Sequence, residues 1–319
     1  MASIPDAAVR LTAIDCVSRG IASLKASWRL LIGARLVRNL LLLALLALSL
    51  LLPALAIGLD LFLSVPKLDD LESLANLDGG LEWFSDFADR LAWTPQLALA
   101  LFAMVGLWLL AGFVYCYFQA GSYGVLAEAD REGPGTRNFR WVDLRRRGRA
   151  GLKRYFALAN VYGVFVGAAV TFSLVGSAAV ASAAATWGPF AAVGVGCVGL
   201  VPIFLFFLVA GLWFEIACAD LAREDSSWRI AGRRALGIMR RRLGAVALLL
   251  VLFDAASMAI WLALFPLSAS VALFANGSSL VSYAAHGILQ LVAALPAAAL
   301  ETISAGSWVA LARSEALGA

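Results

Sequence analysis

Two carboxylates stand inside stretches that are otherwise apolar, Asp254 and Glu301. Asp254 lies ten residues past Gly244, or about 15 Å along a helix. Glu301 lies twelve residues before Arg313, or about 18 Å. The stretches are consecutive, so a hairpin would hold both carboxyls near one depth. Gln290 precedes Glu301 by eleven residues, about 20° away around a helix of 3.6 residues per turn, and His286 falls about 60° off that line. Ser257 and Ser268 lie near the Asp254 face. Together these residues read as a polar seam between two helices, with no lysine or arginine expected at that depth as a counter-charge.

An ionised carboxylate in hydrocarbon is costly and is turned away from lipid. The seam therefore fits two kinds of chemistry. One is a proton or cation site built on Asp254, Glu301, Gln290 and His286, coupled to transport. The other is protonated carboxyls hydrogen-bonded between helices as glue. Other chemistries find little material. His286 is the one histidine, which excludes a histidine-rich metal centre. Cys16, Cys116, Cys197 and Cys218 form no CxxC spacing. No metal site and no cofactor are expected. The GxGxxG match at Gly194-Val195-Gly196-Cys197-Val198-Gly199 lacks the preceding strand and following acidic residue of a dinucleotide site. With no Ser–His pair in recognisable context and no paired-aspartate motif, the chain is not expected to be an enzyme.

The elements that must position the seam follow from composition. Apolar residues make up 62% of the chain and charged residues 14%, against roughly 45–50% and about 25% in soluble domains. The surplus must face lipid. A bilayer core needs about 20 apolar residues per helix, and such stretches occur near 37–63, 95–125, 155–183, 188–218, 243–274 and 280–312. They do not alternate polar and apolar residues as barrel strands do. The expected fold is an all-α, polytopic transmembrane helix bundle of about six spans, read as a single domain over 1–319. Residues 1–30 carry no signal-peptide pattern. Pro53, Pro202, Pro266 and Pro296 fall within or near spans, where kinks are expected.

Charge placement sets the orientation. Of 25 Lys and Arg residues, all but Lys67 and Arg90 lie before span one, between spans two and three, between spans four and five, or just after span six. Under the positive-inside rule that side is cytoplasmic, with both termini on it. The Ala-, Leu- and Arg-rich composition suits a prokaryotic inner membrane. The outer side carries one sizeable loop, 64–94, acidic through Asp69, Asp70, Glu72, Asp78, Glu82, Asp86 and Asp89. Its leucine spacing reads as two short amphipathic helices divided at Gly79-Gly80. The other outer connections, Thr186-Trp187-Gly188-Pro189 and Asn276-Gly277-Ser278, are tight turns.

The chain also repeats. Ala129-Asp130-Arg131-Glu132, Ala222-Arg223-Glu224-Asp225 and Ala312-Arg313-Ser314-Glu315 each follow the second helix of a pair, and their arginines are 92 and 90 residues apart. A basic amphipathic stretch precedes each pair: Ile14, Val17, Ile21, Leu24, Trp28 and Leu31 in the first, residues 139–156 in the second, Trp228, Ala231, Ala235 and Ile238 in the third. The unit is an interfacial helix followed by two spans, used three times.

Gly121-Ser122-Tyr123-Gly124, with Ala129-Asp130-Arg131-Glu132-Gly133 and Phe139, and Ala219-Asp220-Leu221-Ala222-Arg223-Glu224-Asp225 with Trp228, Arg233-Arg234-Ala235 and Arg241-Arg242-Leu243-Gly244, resemble uncharacterised prokaryotic six-helix membrane families. One is the membrane domain found fused to some glycerophosphodiester phosphodiesterases. The resemblance covers most of the chain and implies architecture only. No counterpart of the catalytic domain accompanies it, so phosphodiesterase activity is not implied.

The basic stretches fit membrane-surface helices that hold orientation. They also fit recognition of anionic lipid head groups, with Arg145, Arg146, Arg147, Arg240, Arg241 and Arg242 as the candidate contacts. Nucleic acid is not an expected partner, since no aromatic-rich soluble module accompanies the charge. The resulting expectation is a non-enzymatic accessory or scaffold protein of the cell envelope, with membrane lipids and an unidentified membrane protein as partners. A transporter or channel subunit using the carboxyl pair is the alternative.

Overall fold

The structure, a computed structural model, describes residues 11–57, 95–132, 138–223, 227–274 and 279–317. Among them are seven α-helices and no strand: α1 (Ala13–Ile57), α2 (Pro95–Glu132), α3 (Trp141–Trp187), α4 (Pro189–Arg223), α5 (Trp228–Arg241), α6 (Leu243–Phe274) and α7 (Ser279–Leu317). All but α5 contain segments long and apolar enough to cross a membrane. The chain is an all-α, multi-pass membrane protein. The acidic loop 64–94 and the Asn276-Gly277-Ser278 turn lie outside the described residues.

Local signals set the helix ends. Thr12 and Asp15 form a capping box: Asp15 N–H donates to Thr12 Oγ1 at 3.2 Å, and Thr12 N–H donates to Asp15 Oδ2 at 2.9 Å. At the start of α3 Asp143 supplies the back-reaching half of that motif, accepting from Arg140 N–H at 3.0 Å. Between α3 and α4, Gly188 takes φ 86°, a left-handed conformation open to glycine at no steric cost.

The three basic amphipathic stretches differ in how they join the spans. The first was expected as a separate interfacial helix. Within α1 it is set off from span one by a kink at Ser27 (φ −143°, ψ 22°), where two helical segments join without an intervening loop. The Ser27 hydroxyl donates to Ser23 O at 3.0 Å. The second is continuous with its span in α3. The third is a separate helix, α5, ended at Arg242 (φ −121°, ψ 31°). Hydrophobic periodicity marks a face and does not report whether the helix continues past it.

The chain forms two compact units. One holds Met1–Asn39, Tyr115–Phe165 and Leu208–Ala319; the other holds Leu40–Val114 and Val166–Phe207. The second unit is apolar helix whose large side chains, such as Phe102 and Trp108, stay exposed, a surface suited to hydrocarbon. The first unit carries the buried core, including Leu31, Tyr123, Leu126, Leu158, Ile216 and Leu249.

Within the first unit each basic stretch lies against the second span of a repeat, and glycines allow the approach. A Cβ on Gly121 of α2 would come within 2.9 Å of the Leu144 carbonyl of α3. On α4, Trp213 Nε1 donates to Gly232 O of α5 at 2.9 Å. The start of α1 packs against α7, where a Cβ on Gly20 would lie 2.5 Å from Ile303 O and 2.6 Å from Ser307 Oγ. The three contacts are related by the repeat, and the α1–α7 contact closes the ring. Gly20→Ala is expected to destabilise the protein by about 1–3 kcal/mol through overpacking against backbone, read as a lower unfolding midpoint in mixed micelles. Gly163→Ala, whose Cβ would meet nothing within 4 Å, is the matched control and is expected to leave the midpoint in place or raise it slightly, since alanine is the better helix former.

Candidate functional site

The polar residues of the first unit gather in two places. The first lies inside the apolar helices. On α1, Arg35, Arg38 and Asn39 fall at i, i+3 and i+4, one face of a helix. On α2, Tyr115, Gln119 and Tyr123 recur every four residues. Glu215 and Cys218 come from α4, and Glu301 from α7.

Glu301 is the centre of charge. Its carboxylate forms an ion pair with Arg35 and accepts from Arg38 Nη2, both oxygens at 3.0 Å. Arg35 Nη2 also donates to the Glu301 backbone carbonyl at 3.3 Å. Arg38 Nη1 donates to Gln119 Oε1 at 3.3 Å, and its Nε donates to Asn39 Oδ1 at 3.0 Å. The Arg38 guanidinium sits 5.5 Å from the centre of the Tyr115 ring, a cation–π arrangement. Arg35 is 1% and Arg38 6% exposed, whereas the Glu301 side chain is 42% exposed. Arg35 Nε is buried without an acceptor among the described residues. Two enclosed guanidiniums thus depend on one half-exposed carboxylate.

Next along the bundle, the Tyr123 hydroxyl donates to the Glu215 carboxylate, and the Tyr155 hydroxyl donates to Cys218 O at 2.7 Å. Tyr123 is fully buried. These bonds satisfy polar groups that would otherwise be costly to enclose.

The second place is the set of three repeat arginines. Arg131 of α2 donates to the Arg223 carbonyl of α4. Arg223 donates to the Ala312 carbonyl of α7 at 2.8 Å. Arg313 of α7 donates to the Asp130 carbonyl of α2 and to its carboxylate at 2.9 Å. Each helix end thus caps the next, and the cycle closes. The carbonyls of Asp130 and Arg223 are among the last of their helices, which lack intrahelical partners and carry the negative end of the dipole, so a guanidinium suits them; Ala312 lies five residues before the end of α7. Arg19 of α1 adds a 3.7 Å ion pair to Asp130. A cavity of about 370 Å³ opens here, lined by Arg19, Ser23, Asp130, Arg131, Glu132 and Arg313.

The expected seam is not assembled as read. Asp254 is exposed on α6 and forms no hydrogen bond or ion pair with the described residues, while Glu301 turns to α1. The expectation of no basic counter-charge is corrected. Arg35 and Arg38, counted among the basic residues before span one, sit inside the bundle because α1 runs unbroken past them. The side chains of Gln290 and His286 lie outside the described residues. Glu215 accepts from the buried Tyr123, whereas Glu128 and Asp220 pair with arginine, Arg147 at 3.0 Å and Arg234 at 3.8 Å.

The candidate lipid contacts also divide. Arg147 is taken by Glu128. Arg241 and Arg242 reach Glu315 of α7 at 3.6 and 3.2 Å, and Arg242 donates to Leu11 O at 2.5 Å. Arg146 pairs locally with Asp143 while staying 61% exposed. Arg145 and Arg240 are exposed. One signal for the internal arginines was present in the sequence: the i, i+3 spacing of Arg35 and Arg38 on the face that carries buried Leu31 and Ala34. Among the described residues no cluster of His, Cys, Asp and Glu could hold a metal ion. Comparison with protein-family models, curated proteins and solved structures returns no match for this chain.

Proposed function

We propose that the chain is a non-enzymatic accessory or scaffold protein of a prokaryotic inner membrane, with its basic helix ends and both termini toward the cytoplasm. The observation that carries this reading is the engagement of Glu301 by two arginines of α1. A carboxylate that binds and releases a cargo ion needs to be free of such partners during its cycle. Asp254, the other half of the carboxyl pair, is turned outward on α6. The cyclic arginine contacts at the helix ends support the same reading, since they tie the second spans together rather than leaving two halves able to rock. Orientation rests on the density of arginine around residues 131–154 and 223–242.

Reconstitution into liposomes loaded with a pH-sensitive dye tests it. Vesicles containing the protein are expected to dissipate an imposed proton gradient at the rate of empty vesicles. A faster flux that disappears in Asp254→Asn or Glu301→Gln would replace this reading with transport.

A further inference from the structure

Helices α3 and α5 begin in the same register. Trp141 and Trp228 are their first residues. Counting from each, Leu144 and Ala231 are fully buried, and Arg147 and Arg234 form the ion pairs to the preceding span. The outward faces correspond as well. On α3, Val142, Arg146, Arg149 and Lys153 are all exposed. On α5, Arg229, Arg233, Leu236 and Arg240 are all exposed. Both sets follow the spacing i, i+4, i+7, i+11, which places four side chains within about 60° of one another around the helix.

Each stripe therefore carries three cations and one aliphatic residue. More exposed apolar surface flanks them: Trp141 beside the first, Ile230 beside the second. Arg146 has its local contact to Asp143, and Arg229 lies over the Trp228 ring at 5.2 Å. Arg149, Lys153, Arg233 and Arg240 have no carboxylate partner among the described residues. Each stripe leads into a membrane-crossing segment, α3 continuing directly and α5 handing over to α6 at Leu243.

We propose that these two stripes are binding sites for the anionic head groups of phospholipids. The cations take the phosphate oxygens, and the tryptophan and aliphatic side chains enter the interface beside them. A free anion would have no use for the exposed apolar residues. Nucleic acid would not meet a face at interfacial depth. The assignment departs from the six arginines singled out by their clustering: it releases Arg147, Arg241 and Arg242 to internal ion pairs, leaves the exposed Arg145 off the stripe, and brings in Arg149, Lys153, Arg229 and Arg233. It deepens the accessory reading by naming a partner class.

The test uses the full chain reconstituted in phosphatidylcholine vesicles with trace spin-labelled phosphatidylglycerol or spin-labelled phosphatidylcholine. Electron paramagnetic resonance reads the fraction of each probe immobilised at the protein. Phosphatidylglycerol is expected to be preferred, and 1 M NaCl is expected to bring the preference close to unity by screening. Arg229→Gln/Arg233→Gln/Arg240→Gln and Arg146→Gln/Arg149→Gln/Lys153→Gln are each expected to lower it about fivefold or more at low salt. Equal immobilisation of both probes by the native chain overturns the proposal. So does a preference unchanged when all six residues are replaced. Loss of the preference to inorganic phosphate, but not to NaCl of equal ionic strength, assigns the stripes to a free anion and overturns it too. The native-chain arms decide the matter even where a variant does not fold, and none of them depends on proton flux, so the accessory reading and this one fail separately.

Discussion

Glutamine at position 301 is expected to cost the protein about 2–4 kcal/mol of stability, reduced from the range for breaking a fully buried ion pair by removing one partner because the Glu301 side chain is 42% exposed. The loss falls on the arginines rather than on the glutamate. Arg35 and Arg38 are 1% and 6% exposed, and both lean on the one carboxylate. Without it, two guanidiniums remain enclosed among apolar helices with a backbone carbonyl, Gln119 and Asn39 as their neutral partners. Unfolding by a denaturing detergent titrated into mixed micelles measures the change. A second variant separates charge from packing. Replacing Arg35, Arg38 and Glu301 together by apolar residues of similar length is expected to recover most of the loss, because a buried ion pair exchanged for packed hydrophobes is often neutral. An unchanged midpoint in Glu301→Gln would mean that water reaches both guanidiniums, against the burial described above.

Arg313→Ala is the second large effect, expected at about 2–3 kcal/mol, the upper range for hydrogen bonds to charged groups. Arg313 meets both a carbonyl and a carboxylate. Its removal leaves Asp130, whose side chain is 5% exposed, with Arg19 at 3.7 Å as its remaining ion pair among the described residues. It also uncaps the end of α2. Faster hydrogen exchange at residues 127–132 is expected alongside the lower midpoint. Arg313→Lys is expected to restore little of either, since an ammonium lacks the planar fork that spans two acceptors. Because the three arginines form a cycle, Arg131→Ala and Arg223→Ala should couple to Arg313→Ala, and the double variants should cost less than the sum of the singles. Additive costs would show that the three contacts act independently and that the cycle is geometric only.

Some of this could be read from residues in order. The apolar run near 37–63 is enough to announce a span, because hydrocarbon demands about 20 apolar side chains in a row and a helix supplies all its own backbone partners. The repeat was legible because Arg131, Arg223 and Arg313 end three similar segments. That their side chains reach from one helix end to the next was not, since each contact joins residues about ninety or more apart. Asp254 and Glu301 looked like partners because matched depth is a one-dimensional property. Depth does not say toward which neighbour a helix turns its face.

What the amino-acid order determined alone is therefore the class: six apolar helices, arginine-dense ends, and a segment used three times. These follow from hydropathy and helical period, which are local. The tertiary structure decided which charges are internal. Arg35 meets Glu301 across 266 positions of chain, and only the packing of α1 against α7 brings them together. The same packing divides the basic residues into those that hold helices and those left facing outward. Local spacing is blind to that division, because an arginine's role depends on what the rest of the bundle places beside it.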